Sequence, residues 1–470
     1  MDASNPNVTE SFRTIPLDPS DSNSPTYRQR YFTSTVNAPT GQPKHAFLCT
    51  GGEGPGFTAT VLTTSVHCTG DMVALASRLG KKGEEVIMYA LEHRYYGLSL
   101  PPGDPLSPGY LDHLTSDLAL HDVSTFITAM NGLNPTIETW TTFGGSYPGM
   151  MSSWSRLRYP DLIGQGVSSS SPVEVVLDMQ EYNEKVGDVL AMEAVGGSTE
   201  CRSLVESGHA TISGMLETGE GREALRAMFD VCDVEGMVDP LLPGRNREMF
   251  AGDGVVYVPA QENDPSCEGE LCDVGKLCAA LLEGGGAGEG PVDSLARVAK
   301  VQNGGECVDV SWEGRLGLLG SLAGVAGGTR SWLYQTCNEF GFYQTCEVGS
   351  SCPFSKGYHP LDQDLEMCAT LFNVTDVELR VAKTETYGGW NPEGTRVLYV
   401  NGDVDPWSTL SVTVGNPEVV ADQATLPHFW CEGASHHFWT HKVLSTDAGE
   451  VNEARERIYE QVETWLADPE

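Results

Sequence analysis

The residue best suited to act as a nucleophile is Ser146, in the run Phe143-Gly144-Gly145-Ser146-Tyr147-Pro148-Gly149. A β-prone segment, 139–143, precedes it, and a segment of helical composition, 150–159, follows it. A serine at a strand–turn–helix junction is presented on a sharp turn, and small neighbours let the backbone make that turn. The common pattern is G-x-S-x-G, and here Pro148 takes the last position. The first turn of a helix tolerates proline because its missing N–H leaves no bond unmade.

An acid and a base follow Ser146 along the chain. Asp405 comes after the apolar strand candidate 396–400, and His436 comes after a second candidate, 426–430. Serine is a poor nucleophile until a histidine accepts its proton, and an acid must hold the imidazole tautomer and stabilise its charged form. The order serine, acid, histidine is that of α/β-hydrolases. The sequence therefore predicts an α/β-hydrolase fold with Ser146, Asp405 and His436 as catalytic residues.

Two neighbouring residues compete for the roles of acid and base. Asp403 lies two residues before Asp405, and His437 directly follows His436. His437 and His441 are also four residues apart, a spacing seen in helical zinc sites. Because no carboxylate completes an H-E-x-x-H pattern, no metal is predicted, and no feature of the chain calls for a cofactor.

Several blocks of the chain, in order, resemble the S28 family of serine peptidases. They are Glu92-His93-Arg94-Tyr95-Tyr96-Gly97, Gly144-Gly145-Ser146-Tyr147, Gln335-Thr336-Cys337-Asn338-Glu339, Asn401-Gly402-x-x-Asp405-Pro406-Trp407 and Ala434-x-His436-His437. The resemblance extends from about Tyr27 to the C-terminus. It favours Asp405 and His436 over their neighbours. It also implies hydrolysis of peptide bonds after proline through an acyl-enzyme, by a carboxypeptidase, dipeptidyl peptidase or endopeptidase reaction.

The tetrahedral intermediate of such a reaction needs two preorganised N–H donors. The backbone N–H of Tyr147, directly after the nucleophile, is the first candidate. The second should come from the loop after an early strand, and the run Thr50-Gly51-Gly52-Glu53-Gly54 follows the strand candidate 45–49. The sequence does not decide between Gly52 and Glu53 as the second donor.

The resemblance also supplies candidate substrate-binding residues. Met150 and Trp407 fall on pocket positions of the family, with core packing as the alternative for both. The family's further aromatic residue is displaced by one, because Thr440 stands at the expected step and Trp439 precedes it. Glu339 and Glu53 are candidate ligands for a substrate amino terminus.

The organisation of the chain predicts a large insertion. A bare α/β-hydrolase core needs only ~100 residues between nucleophile and acid, far fewer than this chain has. We expect a loose polar leader at 1–26, a hydrolase domain at 27–174 and 386–470, and an insertion at 175–385. The insertion holds most of the cysteines and the glycine-rich run Gly284–Gly290. The resemblance implies that the insertion is a mostly helical cap.

Charge and cysteine usage limit the partners and the compartment. With 65 acidic and 28 basic residues the net charge is −37, which disfavours nucleic acids and anionic membranes as partners. No stretch of ~20 apolar residues is present for a membrane span. The expected partners are peptide substrates with proline at the cleavage site, and the resemblance allows a homodimer.

Thirteen cysteines without a C-x-x-C pair favour disulfides over a zinc ribbon, and the odd count leaves at least one cysteine outside intrachain disulfides. Sequons at Asn7 and Asn373 fit a secretory route. Residues 1–30 contain no signal peptide, so we expect a secreted or lysosomal/vacuolar protein whose targeting segment lies outside this chain.

Two other functions stay open at this point. A carboxylesterase or lipase could use the same fold and triad, because a fold does not fix the substrate. An inactive hydrolase-fold binding protein is the third hypothesis, and the presence of all three triad residues argues against it.

Overall fold

The computed structural model describes residues 7–283 and 289–468. Eight strands within these residues form the central sheet, and two short ones form a small separate sheet. The strands are β1 (Val8–Pro16), β2 (Thr26–Ser34), β3 (His45–Thr50), β4 (Val86–Leu91), β5 (Thr139–Gly145), β6 (Gln165–Ser169), β7 (Val176–Asp178), β8 (Gly341–Tyr343), β9 (Val397–Gly402) and β10 (His428–Cys431).

The central sheet has the order β1-β2-β4-β3-β5-β6-β9-β10. The pairs β1–β2 and β2–β4 are antiparallel, and all later pairs are parallel. The carboxyl ends of the parallel strands therefore meet at one edge, where α/β proteins bind their ligands. The predicted α/β-hydrolase fold is confirmed.

The predicted loose leader is wrong for Val8–Pro16, which form the edge strand β1. Nine consecutive residues pair with β2. Phe12 lies under the Arg28 guanidinium, 4.1 Å from the carbon to the ring centroid. The polar composition of this segment gives a weak strand signal, because its residues favour the strand conformation only when they pack against the neighbouring strand.

Fifteen α-helices occur in the described residues. They are α1 (Ala74–Lys81), α2 (Ser116–Leu133), α3 (Tyr147–Arg158), α4 (Gln180–Leu190), α5 (Thr199–Leu216), α6 (Gly219–Phe229), α7 (Gly244–Ala251), α8 (Val274–Glu283), α9 (Pro291–Gln302), α10 (Trp312–Leu319), α11 (Leu322–Ala326), α12 (Thr329–Gln335), α13 (Leu361–Phe372), α14 (Val377–Val381) and α15 (Gly449–Ala467).

Successive residues of the buried strands face opposite sides of the sheet, as the pleat requires. In β3, Phe47 packs in a cluster with α1 and α15, whereas Leu48 packs in a cluster with α2 and α3. These four helices cover the two faces. The insertion between β6 and β9 carries the other helices and has its own apolar cluster, formed almost entirely by residues 186–354.

The bounds proposed for the hydrolase domain and the cap stay a prediction. Of the glycine-rich run Gly284–Gly290, residues 284–288 lie outside the described residues. Across the described parts of the chain, no helix is both long and apolar enough to cross a bilayer.

Six disulfides confirm the expectation from the cysteine count. They are Cys49–Cys68, Cys201–Cys278, Cys232–Cys307, Cys267–Cys272, Cys337–Cys368 and Cys346–Cys352. The remaining cysteine, Cys431, is buried and free. The first disulfide fixes β3 just before the glycine-rich loop 50–54, and the other five lie within the insertion.

Candidate active site

Ser146 lies on a tight turn between the end of β5 and the start of α3. Its φ of 63° and ψ of −135° are uncommon for a residue with a side chain and cost free energy. The turn is held by the Ser146 N–H, which donates to the Ser169 carbonyl at 2.9 Å. Only glycine fits at 144, because a Cβ there would overlap the Pro148 carbonyl. The predicted strand–turn–helix elbow is confirmed, and Ser146 is half-buried.

Asp405 and His436 form a buried pair at the carboxyl ends of β9 and β10. Asp405 Oδ2 lies 2.8 Å from His436 Nδ1, and Asp405 Oδ1 accepts from the Trp407 N–H at 2.9 Å. Both side chains are almost inaccessible. Because the carboxylate is fixed at both oxygens, it holds the imidazole in one orientation.

The two competing residues have other partners. Asp403 accepts from the Gly433 N–H at 2.6 Å. His437 Nδ1 lies 3.1 Å from the Thr440 hydroxyl, and the His437 N–H donates to Ser170 Oγ at 2.8 Å. Burial holds the pKa of His437 well below its ordinary value, with the neighbouring histidines adding to the effect. These contacts give both residues structural roles beside the buried pair.

The loop that carries both histidines lies against the elbow. A Cβ added to Gly145 would be 2.6 Å from the His437 ring, and the His436 and His437 ring centroids are 4.5 Å apart. Between these described residues, no hydrogen bond joins the Ser146 hydroxyl to His436. Catalytic hydrogen bonds are often long without substrate, so the role of Ser146 as the nucleophile stays a prediction.

The glycine-rich loop packs against the first turn of α3. Thr50 Oγ1 donates to the Pro148 carbonyl at 2.7 Å, and a Cβ on Gly52 would be 2.5 Å from the Pro148 ring. Tyr147 is the first residue of α3, where a backbone N–H has no acceptor within the helix. The backbone of Gly52 and Glu53 thus lies near the helix start that carries the other predicted oxyanion donor.

The side chain of Tyr147 is buried beneath the elbow. Its hydroxyl lies 2.9 Å from His93 Nε2, and its ring packs against Trp332 and Phe340. Burial raises the pKa of Tyr147 well above its ordinary value and lowers the pKa of His93 to about 4. Both groups are therefore neutral over the physiological range and position α3.

Among the predicted substrate-binding residues, Trp407 lies at the site. Its ring is half-buried, with the centroid 6.2 Å from that of His436. The rings of Tyr182 and Phe342 contact it edge-on. The Trp407 ring therefore lies beside the predicted base, with two further aromatic rings in contact with it, and its role in substrate binding stays a prediction.

The predicted substrate contacts of Met150 and Trp439 are contradicted by their burial. Both side chains have no exposed surface. Met150 packs in the α2–α3 cluster, and Trp439 Nε1 donates to Ser169 Oγ at 2.9 Å. Thr440, at the alternative position, bonds to the Val66 carbonyl. Core packing, the alternative named for Met150, holds for both.

Glu339 also has a different role from the predicted one. Its carboxylate accepts from the Ser116 N–H at 2.9 and 3.0 Å and from the Ser116 hydroxyl at 2.9 Å. Burial raises the pKa of Glu339 to about 7. The residue therefore caps the N-terminus of α2, which leaves little capacity for a substrate amino group.

A segment of the insertion that no sequence pattern marked reaches the site. The His436 N–H donates to the Gln261 carbonyl at 3.1 Å, and Ser435 Oγ donates to the Asn263 carbonyl at 2.9 Å. The Gln261 side chain accepts from Trp407 Nε1 at 2.9 Å and from the Tyr182 hydroxyl at 2.8 Å. The segment lies outside regular helices and strands, so neither periodicity nor a motif could have indicated it.

Comparisons with known proteins identify the family of the chain. The family model "Serine carboxypeptidase S28" matches residues 16–458. The chain is 35% identical to the human thymus-specific serine protease over 96% of this chain and 85% of that one. It is 25% identical to the human lysosomal Pro-X carboxypeptidase over 80% and 74% of the two chains.

Among solved structures, a proline iminopeptidase from Mycobacterium smegmatis covers 97% of this chain and 99% of its own, with 13% identity and a TM-score of 0.34. The fold follows from the strand order described above. The family follows from the match to its model, which spans nearly the whole sequence. The chain belongs to the S28 family of serine peptidases.

Proposed function

We propose that this protein hydrolyses peptide bonds after proline, with Ser146 as nucleophile, His436 as general base and Asp405 as the acid that orients it. The observation that carries the proposal is the buried Asp405–His436 pair, 2.8 Å apart, beside a serine held at φ 63° on an elbow. Family membership supports peptide hydrolysis.

The proposed reaction consists of two acyl transfers, first to Ser146 and then to water. The Ser146 O–H bond breaks and its proton moves to His436 Nε2, while Oγ bonds to the carbonyl carbon and the π pair becomes the oxyanion. When the carbonyl re-forms, the C–N bond breaks and His436 returns the proton to the departing amine. Water then attacks the acyl-enzyme in the same way, which releases the carboxylic acid and regenerates Ser146.

The oxyanion would be stabilised by the Tyr147 N–H and by a second N–H, from Gly52 or Glu53. Support comes from the packing of Gly52 against Pro148, which holds that loop next to the first turn of α3. Donors fixed before the reaction stabilise the developing charge without reorganisation.

The preference for proline is supported by Trp407, Tyr182 and Phe342. The Trp407 ring lies beside His436 and is contacted by the rings of Tyr182 and Phe342, and a rigid apolar ring can bury its surface against aromatic faces. One relative is named as a Pro-X carboxypeptidase. Six disulfides support the proposal that the protein acts in a secreted or lysosomal location. The proposed homodimer can be tested by sedimentation, which measures the mass of the assembly.

The test measures cleavage of fluorogenic Xaa-Pro amides, and of Xaa-Pro-Xaa peptides with free or blocked C-termini, from pH 4 to 8. Ser146→Ala is compared with Ser207→Ala, which changes an exposed serine of α5. We expect cleavage after proline that only Ser146→Ala abolishes, and the accepted terminus identifies the exopeptidase type. Ester hydrolysis without prolyl-peptide cleavage would instead favour the carboxylesterase alternative, and cleavage that survives in Ser146→Ala would exclude this nucleophile.

A further inference from the structure

The loop Thr50–Gly54, which carries Glu53, is held against the elbow that presents Ser146. Thr50 is bound to the elbow through the Phe143 and Pro148 carbonyls, at 2.9 and 2.7 Å. Gly54 lies under Gly328, at the start of α12, so closely that a Cβ on Gly328 would overlap the Gly54 carbonyl. The loop is thus clamped between α3 and α12 on both sides of Glu53.

The carboxyl of Glu53 has an unusual environment. Its Oε2 is inaccessible and has no hydrogen-bond partner. In the described structure, no arginine or lysine forms an ion pair with Glu53. The groups that favour its ionised form are its own backbone N–H, the His436 imidazole and the Ser146 hydroxyl. This carboxyl therefore lies beside both the nucleophile and the base of the proposed reaction.

The other titratable groups that face Glu53 do not supply a positive charge. They are Tyr147 from the elbow and Tyr96 from the segment after β4, and the charge of Glu53 contributes to the raised pKa of each. Within the described residues, protonated His436 is the one neighbour whose positive charge stabilises ionised Glu53. This stabilisation is absent when His436 is neutral, the form in which it can act as a base.

We propose that Glu53 is a further catalytic residue, whose protonated, neutral carboxyl at the Ser146 hydroxyl is the form that supports acyl transfer. The inference rests on the proposed function. An ionised carboxyl here would compete with His436 for the Ser146 proton and repel the oxyanion that forms next to it. A protonated carboxyl does neither and offers an O–H donor.

The electrostatics agree in direction with this geometry. Burial raises the pKa of Glu53 above its ordinary value, and this effect exceeds the opposing ones of its own backbone N–H, His436 and Ser146. The rate should therefore require two conditions, a neutral His436 and a protonated Glu53, and should fall on the alkaline side as Glu53 ionises. Acidic compartments satisfy the second condition.

A second carboxyl near the base provides the matched control. Glu262 is exposed, and the Tyr257 hydroxyl donates to its Oε2. Partial desolvation of its carboxyl by neighbouring groups also raises its pKa, and His436 opposes this effect. His436 thus affects the pKa of both Glu262 and Glu53, whereas Ser146 affects only that of Glu53.

The test measures the rate at which a fluorophosphonate probe labels the serine, from pH 4.5 to 8.5, so that peptide specificity does not enter. The proteins are the wild type, Glu53→Gln, Glu262→Gln and Ser146→Ala. Above the pKa of Glu53, the wild-type rate should fall about tenfold per pH unit, as the protonated fraction does. Glu53→Gln should hold a plateau at high pH, and Glu262→Gln should follow the wild type.

Three results would overturn the inference. These are a wild-type rate with no alkaline fall, a Glu53→Gln profile with the same fall as the wild type, and a folded Glu53→Gln variant that is unreactive at every pH. The wild-type pH profile needs no variant, so the inference stays testable even if Glu53→Gln does not fold. The melting temperature of the variant shows whether it is folded. Labelling of Ser146→Ala at the wild-type rate would instead refute the proposed nucleophile, a separate failure.

Discussion

Two polar clusters, one around the segment that follows β4 and one at the candidate active site, differ in how completely their charges are paired. The paired cluster consists of Arg30, Glu92, Arg94 and Asp122. The site cluster consists of Ser146, Asp405, His436 and the carboxyl of Glu53. Every carboxylate of the paired cluster has a guanidinium partner, whereas those of the site cluster have none in the described structure.

The paired cluster is saturated with hydrogen bonds. Arg94 Nε and Nη2 donate to the two oxygens of Asp122, both at 2.8 Å, and the Tyr27 hydroxyl adds a third bond at 2.9 Å. Glu92 accepts from Arg30 and from three further donors, namely Phe57 N–H, Leu98 N–H and Ser99 Oγ. Buried charges in such a network are stable because each is compensated.

The site cluster keeps acids whose charge is not compensated by an arginine or a lysine. Glu53 has one oxygen without any partner, and burial raises its pKa. Perturbed acids in a cleft of this kind are typical of catalytic sites. From this difference we expect the paired cluster to maintain the architecture of the site and the site cluster to carry out the proposed chemistry.

The largest expected effect is on the site cluster. Asp405→Asn should reduce kcat by about 10⁴-fold, because the amide favours the wrong tautomer of His436. The melting temperature should change little, since an amide oxygen can still accept from the Trp407 N–H. Asp403→Asn is the matched control and should retain most of the activity. Equal losses in the two variants would contradict the assignment of the acid.

The paired cluster should respond in stability rather than in rate. Asp122→Ala leaves the Arg94 guanidinium buried without its carboxylate and should lower the free energy of unfolding by about 3–5 kcal/mol. Asp117→Ala, on the same helix, removes an exposed ion pair with Arg158 and should cost about 0–1 kcal/mol. Urea denaturation measures both. A loss of kcat in folded Asp122→Ala without a loss of stability would remove the distinction between the clusters.

Asp71, which belongs to neither cluster, is a buried carboxyl with one unpaired oxygen, and its effect on stability can be measured separately from catalysis. Asp71 is fully buried, its Oδ2 has no partner, and burial raises its pKa to about 7. The folded-state pKa is above the ordinary value of 3.8, so its ionisation lowers stability as the pH rises from about 4 to about 7.

Asp71→Asn removes this ionisation and should raise the melting temperature at pH 8 but not at pH 4. A tenfold difference in proton affinity between the folded and unfolded states corresponds to about 1.4 kcal/mol, so the gain at pH 8 should be measurable by calorimetry. An equal change at both pH values would show that Asp71 does not titrate in this range.

The smallest effects should separate the two tryptophans. Trp407→Phe removes the bond to Gln261 beside His436 and should raise KM several-fold with little change in stability. Trp439→Phe removes a buried bond to Ser169 and should cost about 1 kcal/mol of stability, with KM unchanged. Steady-state kinetics and thermal unfolding of both variants distinguish the outcomes. A raised KM in Trp439→Phe would restore it as a pocket residue.

Much of the fold could be predicted from local patterns. The apolar runs of β3, β4, β5 and β9, together with the glycines around Ser146, each bear a signal that does not depend on distant residues. The edge strand β1 could not be predicted because its polar residues gain their strand conformation only by pairing with β2. Met150 and Trp439 were misassigned because sequence position does not reveal which face of an element is covered.

The sequence by itself determined the order of the elements, the elbow that presents Ser146 and the acid and histidine that follow it, because these depend on local residue types and their order. Only the tertiary structure decided which partners complete the site. Gln261 reaches His436, Glu339 caps α2, and Glu53 lies at the site with one oxygen unpaired. These outcomes join residues far apart in the chain, and the burial that sets their energies exists only after the insertion has packed against the sheet.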